Sequence, residues 1–141
     1  AIDRAIEIAK EKGFKRSVKL PVSAPFHSPL MEPAERDMRH AFKKATFNKP
    51  VVPVIANVTA QPTTKPEEIR DLLLRQVCGS VRWREGVLYM KEQGIEQLVE
   101  CGSGNVLTGL TKRIDRSLPA VSLQTPEDME RFLDTYERAA E

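Results

Sequence analysis

The sequence predicts an α/β fold with parallel strands joined by helical crossovers. Amphipathic helical periods alternate along the chain with short apolar, β-branched runs. Glycine or proline marks most of the junctions between them. The 141 residues, 40% hydrophobic and 30% charged, fit one ordinary packed domain. The predicted strands are short and few, so they read as part of a larger sheet.

Residues 1–12 place Ile2, Ala5, Ile6 and Ala9 on one helical face, and Gly13 supplies the stop. Residues 16–22 alternate enough for a short strand. The stretch LPVSAPFHSPLMEPA, residues 20–34, follows, with prolines at 21, 25, 29 and 33. Each proline lacks an N–H and biases its predecessor away from the α region, which excludes a helix through the segment. Pro33 instead fits the start of a helix running to about Ala45, with Met38, Ala41, Phe42 and Ala45 on its apolar face. VVPVIANV, residues 51–58, reads as a strand that Pro53 pushes toward an edge. Thr64 and Glu67 have capping-box spacing for a helix to about Val77 through Ile69, Leu72 and Leu73. A further helix spans about Trp83 to Gln93, ending at Gly94. Residues 96–102 form a short strand, and Gly102-Ser103-Gly104 turns into a helix with Val106, Leu107, Leu110 and Ile114 inward. A last strand at 120–122 leads to a helix capped by Thr125, with Pro126 at its first position.

The bulk properties exclude several function classes. No apolar run is long enough to span a membrane, and no signal-peptide pattern opens the chain. The chain starts without Met, inside a helical pattern, which suggests a piece of a longer protein. A net charge of +2 is too small to imply nucleic acid. Residues 1–20 nevertheless carry six Lys/Arg against three Asp/Glu, a local excess that reads as a solvated helix end or as a docking patch for an acidic partner. Cys78 and Cys101 have neither metal-ligand nor redox spacing and read as buried, reduced thiols of an intracellular protein. With two histidines, little material for a zinc site remains, and no metal is expected.

Two places invite a chemical reading. CGSGNVLTGL sits between a strand and a helix, as phosphate loops do. Leu107 stands where the dinucleotide fingerprint needs glycine, and the P-loop Gly-Lys-Ser/Thr is absent. The turn therefore reads first as a close-packed connection, with phosphate binding the lesser alternative. His27 is held among prolines on a stiff, irregular loop. It is either a surface histidine or a general base. No G-x-S-x-G elbow is present, so a base at His27 needs a nucleophile from outside this chain. His40, on the second helix, reads as structural or exposed.

The segments LPVSAPFHSPLMEPA, TFNKPVVPVIANVTA, IRDLLLRQVCGSVRW and VLYMKEQGIEQLVECGSGNVLTGLTKRI together resemble the malonyl-CoA:acyl carrier protein transacylase family. The resemblance runs in order through almost the whole chain. Polyketide synthase acyltransferase domains share many of these segments, and a polyketide synthase domain is the close alternative. A carrier-binding fragment without activity is the non-enzymatic one. The resemblance implies an α/β-hydrolase-like large subdomain with a ferredoxin-like small one inserted. Residues 1–20 would be the end of the small subdomain and residues 21–141 the C-terminal part of the large one. The N-terminal half would hold the nucleophile serine, the malonyl-binding arginine and the oxyanion hole. His27 matches the family's catalytic histidine, and Gln76 matches the position whose main-chain carbonyl orients it. Phe26 matches a position tied to acyl selectivity, with plain core packing as the competing reading. Asn57 matches an asparagine near the site, or is a turn former. Lys15 and Arg16 match basic residues that would meet the acidic acyl carrier protein. Malonyl-CoA is then a substrate, no cofactor is required, and the location is cytoplasmic. The family often has Gly-Pro-Gly where this chain has Gly102-Ser103-Gly104, a departure expected to loosen the turn.

Overall fold

In the computed structural model, residues 2–19 and 21–140 are described, the side chains of 136–140 excepted. The chain is α/β, with helices interspersed between short strands. Helix α1 (Ile2–Glu11) ends at Gly13, whose φ of 84° suits a residue without a Cβ. None of its residues is buried. The expected strand at 16–22 does not form over its described residues, 16–19 and 21–22. The alternation there is real, but a strand exists only where a second strand satisfies its backbone, and none lies alongside among the described residues. Leu20 lies outside the described residues.

After the proline loop, a single 3₁₀ turn (Pro29–Met31) leads into α2 (Glu32–Phe42), with Pro33 in its first turn. Phe42 stacks edge-on against Phe47, centroids 5.0 Å apart. Strand β1 (Val54–Ala56) occupies the middle of the expected 51–58 run. It pairs antiparallel with β2 (Gln61–Thr63), which periodicity did not reveal because three residues containing Pro62 carry no pattern. The turn between them holds Ala60 at φ 56°, with its N–H donating to Ala56 O at 2.7 Å.

Helix α3 (Pro66–Cys78) starts after Lys65, without a side-chain cap from Thr64. The hydroxyl of Thr63 takes over, accepting from the Lys65 N–H at 3.3 Å and donating to Glu68 at 2.7 Å. The capping chemistry thus sits one residue earlier than the spacing implied. Leu72 and Leu74 are the buried residues of α3, and α2 packs along it.

Helix α4 (Trp83–Glu92) contributes Val87, which is fully buried. Burying a valine side chain stabilises by about 1.5–3 kcal/mol, so this position anchors the core. Strands β3 (Leu98–Cys101) and β4 (Ala120–Leu123) pair in parallel, with Leu98 opposite Ala120 and Cys101 opposite Leu123. Helix α5 (Val106–Ile114) makes the crossover between them, and α6 (Pro126–Ala140) packs against β4. The parallel crossover expected from the alternation is present here.

The inward face of α5 differs from expectation. Val106 is 68% exposed, Leu107 is also exposed, and Thr111 is the buried residue. The Thr111 hydroxyl is satisfied within the helix by Leu107 O at 2.9 Å, which lets a polar residue sit in the core. The cysteines also differ: both are free, Cys78 half-buried and Cys101 exposed. The β3 edge opposite β4 has no strand partner among the described residues, and Cys101 lies on that strand. A cavity of about 320 Å³ separates β1 from β3, lined by Ile55, Trp83, Met90, Val99 and Leu107. The Trp83 indole N–H is buried beside it without a hydrogen-bond partner among the described residues.

Glu100 ties β3 to α5. Its two carboxylate oxygens accept the N–H groups of Leu107 at 3.0 Å and Thr108 at 2.8 Å, two of the unsatisfied donors of the helix start. The Thr108 amide chiefly, with that of Leu107, holds the Glu100 carboxyl below its ordinary range, against an opposing effect of burial. A lowered folded-state value means stabilisation that is complete above the unfolded pKa of about 4.3 and lost as pH falls through the folded value. Glu100→Gln should therefore lower the urea midpoint at pH 7, and the gap to the native chain should close under strongly acidic conditions; a gap independent of pH would contradict this role.

Candidate active site

The site begins with a helix end. Helix α3 stops at Cys78, and Gly79 is extended, its N–H returning to Arg75 O at 2.9 Å. A Cβ at position 79 would lie 2.8 Å from that same oxygen, so glycine permits the close return. The carbonyl of Gln76 is one of the last four of the helix and has no intrahelical donor. His27 fills the vacancy: its Nδ1 lies 2.9 Å from Gln76 O. A carbonyl only accepts, so Nδ1 carries the proton, and in the neutral ring Nε2 keeps a free lone pair. The ring is thereby set up to take a proton at Nε2.

The loop supplies the other half of the geometry. His27 is exposed and has φ 56°, in the left-handed region. That conformation costs a non-glycine residue about 1–2 kcal/mol. One net hydrogen bond is worth about 1 kcal/mol, so the Gln76 bond alone does not securely offset it. The Ser28 hydroxyl donates a second bond across the bend, to Pro25 O at 2.7 Å.

The remaining residues singled out by the sequence fall as follows. Phe26 lies beside His27 in the sequence and is 54% exposed within this chain. Asn57 follows β1, and its main-chain carbonyl accepts the Arg82 N–H at 2.8 Å. Arg82 also donates to Thr59 O at 3.0 Å and pairs with Glu85, which fixes the turn after β1. Asn57 and Gln76 line one cavity of about 230 Å³ between β1 and α3. Lys15 and Arg16 are exposed on the segment after α1, and Lys19 of the same basic stretch pairs with Asp3 at 3.2 Å. The structure thus brings His27 to Gln76 and Gln76 to Asn57, while Lys15 and Arg16 belong to a different segment.

The glycine turn plays no part in this cluster. The amides at the start of α5 are engaged by Glu100, so the groups a phosphate would need already hold an internal anion. Gly104 donates to the Gln124 side chain at 2.9 Å and accepts from the Ser122 hydroxyl. These two bonds pin the turn where a proline is missing. Among the described residues, no group of three or more His, Cys, Asp and Glu side chains is placed to hold a metal ion.

No family model matches the chain. Among curated proteins, the malonyl CoA-acyl carrier protein transacylase of Escherichia coli (strain K12) is 46% identical over 134 residues, covering 95% of this chain and 43% of the relative. That of Bacillus subtilis (strain 168) is 36% identical, covering 95% and 42%. A crystal structure of acyl-carrier-protein S-malonyltransferase from Bartonella henselae superposes with a TM-score of 0.87 at 46% identity, covering 95% of this chain and 43% of that one. The chain is homologous to the C-terminal part of malonyl CoA-acyl carrier protein transacylases. It spans less than half the length of the curated relatives it matches.

Within this transacylase-like segment, sequence reasoning undervalued Ser28. A hydroxyl between a histidine and a proline is well placed to tie a loop together. The acceptor for His27 is main chain, so the Gln76 side chain is dispensable to it. Gln76→Ala should leave His27 as the Nδ1–H tautomer in ¹⁵N NMR spectra; a switch to the Nε2–H form would show that the side chain, not the helix end, sets the ring.

Proposed function

We propose that the protein to which this chain belongs transfers a malonyl group from malonyl-CoA to the phosphopantetheine thiol of acyl carrier protein, in fatty acid biosynthesis. The observation that carries this reading is the hydrogen bond from His27 to a helix-end carbonyl, which leaves Nε2 as the free base. A serine in the remaining, N-terminal part of the protein is the nucleophile. His27 takes the serine proton as the oxygen attacks the thioester carbonyl, and the resulting imidazolium returns a proton to the departing CoA sulfur. The malonyl-serine ester is then attacked by the carrier thiol, whose proton passes to His27 and on to the serine oxygen. An uncharged carbonyl fixes the tautomer and ring angle, though it stabilises the imidazolium less than a carboxylate would.

The division of labour between the two parts follows. Residues 1–20 are the end of a ferredoxin-like small subdomain, and 21–141 the C-terminal part of an α/β-hydrolase-like large one. The N-terminal part covers the apolar space between β1 and β3, where a strand would satisfy the open β3 edge and an acceptor the Trp83 indole. The chain alone, without the serine, is inactive. Phe26 presents a bulky ring beside the base and favours malonyl over an α-branched acyl group. Asn57 contributes to the acyl site from the wall shared with Gln76. Lys15 and Arg16 attract the acidic carrier protein and speed encounter. Coenzyme A enters as part of a substrate; no cofactor, metal, nucleic acid or membrane takes part. Among the described residues no helix is long and apolar enough to cross a membrane.

A second reading concerns the carrier. A malonyl-transacylase in complex with a type II polyketide synthase acyl-carrier protein superposes on this chain with a TM-score of 0.85 at 39% identity, covering 95% of this chain and 43% of that one. The same chemistry would then feed a polyketide carrier.

In the full-length protein, His27→Ala should lower transfer about a hundredfold or more while the thermal midpoint stays close to native; near-normal turnover would remove His27 from the mechanism. Lys15→Glu combined with Arg16→Glu should raise KM for the carrier protein and leave malonylation of the enzyme by malonyl-CoA unchanged. Equal losses in the two half-reactions would count against docking at these residues.

A further inference from the structure

We propose that Ser28 is a positioning residue for His27, closing the loop that aims the imidazole at Gln76; the proposal rests on the reading of His27 as general base. Ser28 is the N-cap of the 3₁₀ turn, where a serine usually accepts a bond from the turn ahead of it. Here it caps nothing: its hydroxyl points backward and donates to Pro25 O at 2.7 Å. The prolines explain why such a bond matters. Pro25 fixes its own φ, and Pro29 confines Ser28 to the extended region, where it lies at φ −137° and ψ 164°. Phe26 and His27 are the two residues between them that no proline restrains. The Ser28–Pro25 bond spans those two residues.

The anchorage continues into the scaffold. Ser28 O accepts the Met31 N–H at 3.0 Å, and the 3₁₀ turn packs against α3, the helix that presents Gln76. The His27 ring and its acceptor are therefore tied to one helix by two routes, and Ser28 is the link in the shorter one. Without its hydroxyl, His27 relaxes from φ 56° toward the ordinary negative region. That rotation takes Nδ1 from Gln76 O and admits the Nε2–H tautomer, which has no lone pair at Nε2 to take the serine proton.

The test uses the full-length protein, three variants at Ser28 and His27→Ala. Ser28→Ala should lower kcat about five- to tenfold, the size of one net hydrogen bond, with KM for malonyl-CoA unchanged. Its ¹⁵N spectrum should show His27 mixed between tautomers, where the native protein shows the Nδ1–H form. Ser28→Thr, which keeps the hydroxyl, should restore both. Should the alanine variant fail to fold, Ser28→Cys keeps the volume with a weaker donor and is read in the same way. Native kcat and an unchanged tautomer in Ser28→Ala, with His27→Ala inactive, would overturn the role of Ser28 and leave that of His27 standing. Near-normal transfer by His27→Ala would overturn both.

Discussion

The hydrogen bond between His27 and the carbonyl of Gln76 is the constraint around which the candidate site is built. It exists because α3 ends where it does. One more helical turn would give Gln76 O an intrahelical donor and leave the imidazole without an acceptor. The helix ends where Gly79, which donates the last i→i−4 bond to Arg75 O, turns to extended backbone. The acceptor is thus a consequence of backbone geometry, and the side chain at position 76 is free to serve the neighbouring cavity.

The loop that carries His27 solves a second problem. Prolines make a loop stiff only at their own positions and immediately before them. The left-handed bend at His27 falls in the gap between two such restraints, where a side-chain hydroxyl crosses the bend. Stiffness from proline and closure from serine act on different residues of one short segment, and both are needed to hold a ring on an exposed loop.

The fold around this site is a partial one. Val87, Leu72 and Leu74 bury well, whereas Leu107 and Val99 stand exposed around the space between β1 and β3. Apolar side chains, a strand edge and an indole that are both without partners among the described residues converge there. Such a surface suits burial against more protein, in agreement with a chain that spans less than half of its curated relatives' length. Glu100 shows the opposite tendency. It closes the start of α5 internally and turns what resembles an anion site into a structural joint.

Apolar stripes and end signals placed all six α-helices of the described residues, because both are legible without knowing what a helix faces. They did not tell which face was covered: Thr111 is buried and Val106 is not, a matter decided by neighbours. Strands were less legible. Residues 16–22 alternate but pair with no strand over their described residues, while Gln61–Thr63 pair without alternating, since a strand is defined by its ladder. At the site, the sequence by itself determined a histidine held among prolines and a helix ending near Gln76. Only the tertiary structure decided that the two meet, that the bond leaves Nε2 free, and that Ser28 closes the bend, because each depends on distances between segments that no local pattern encodes.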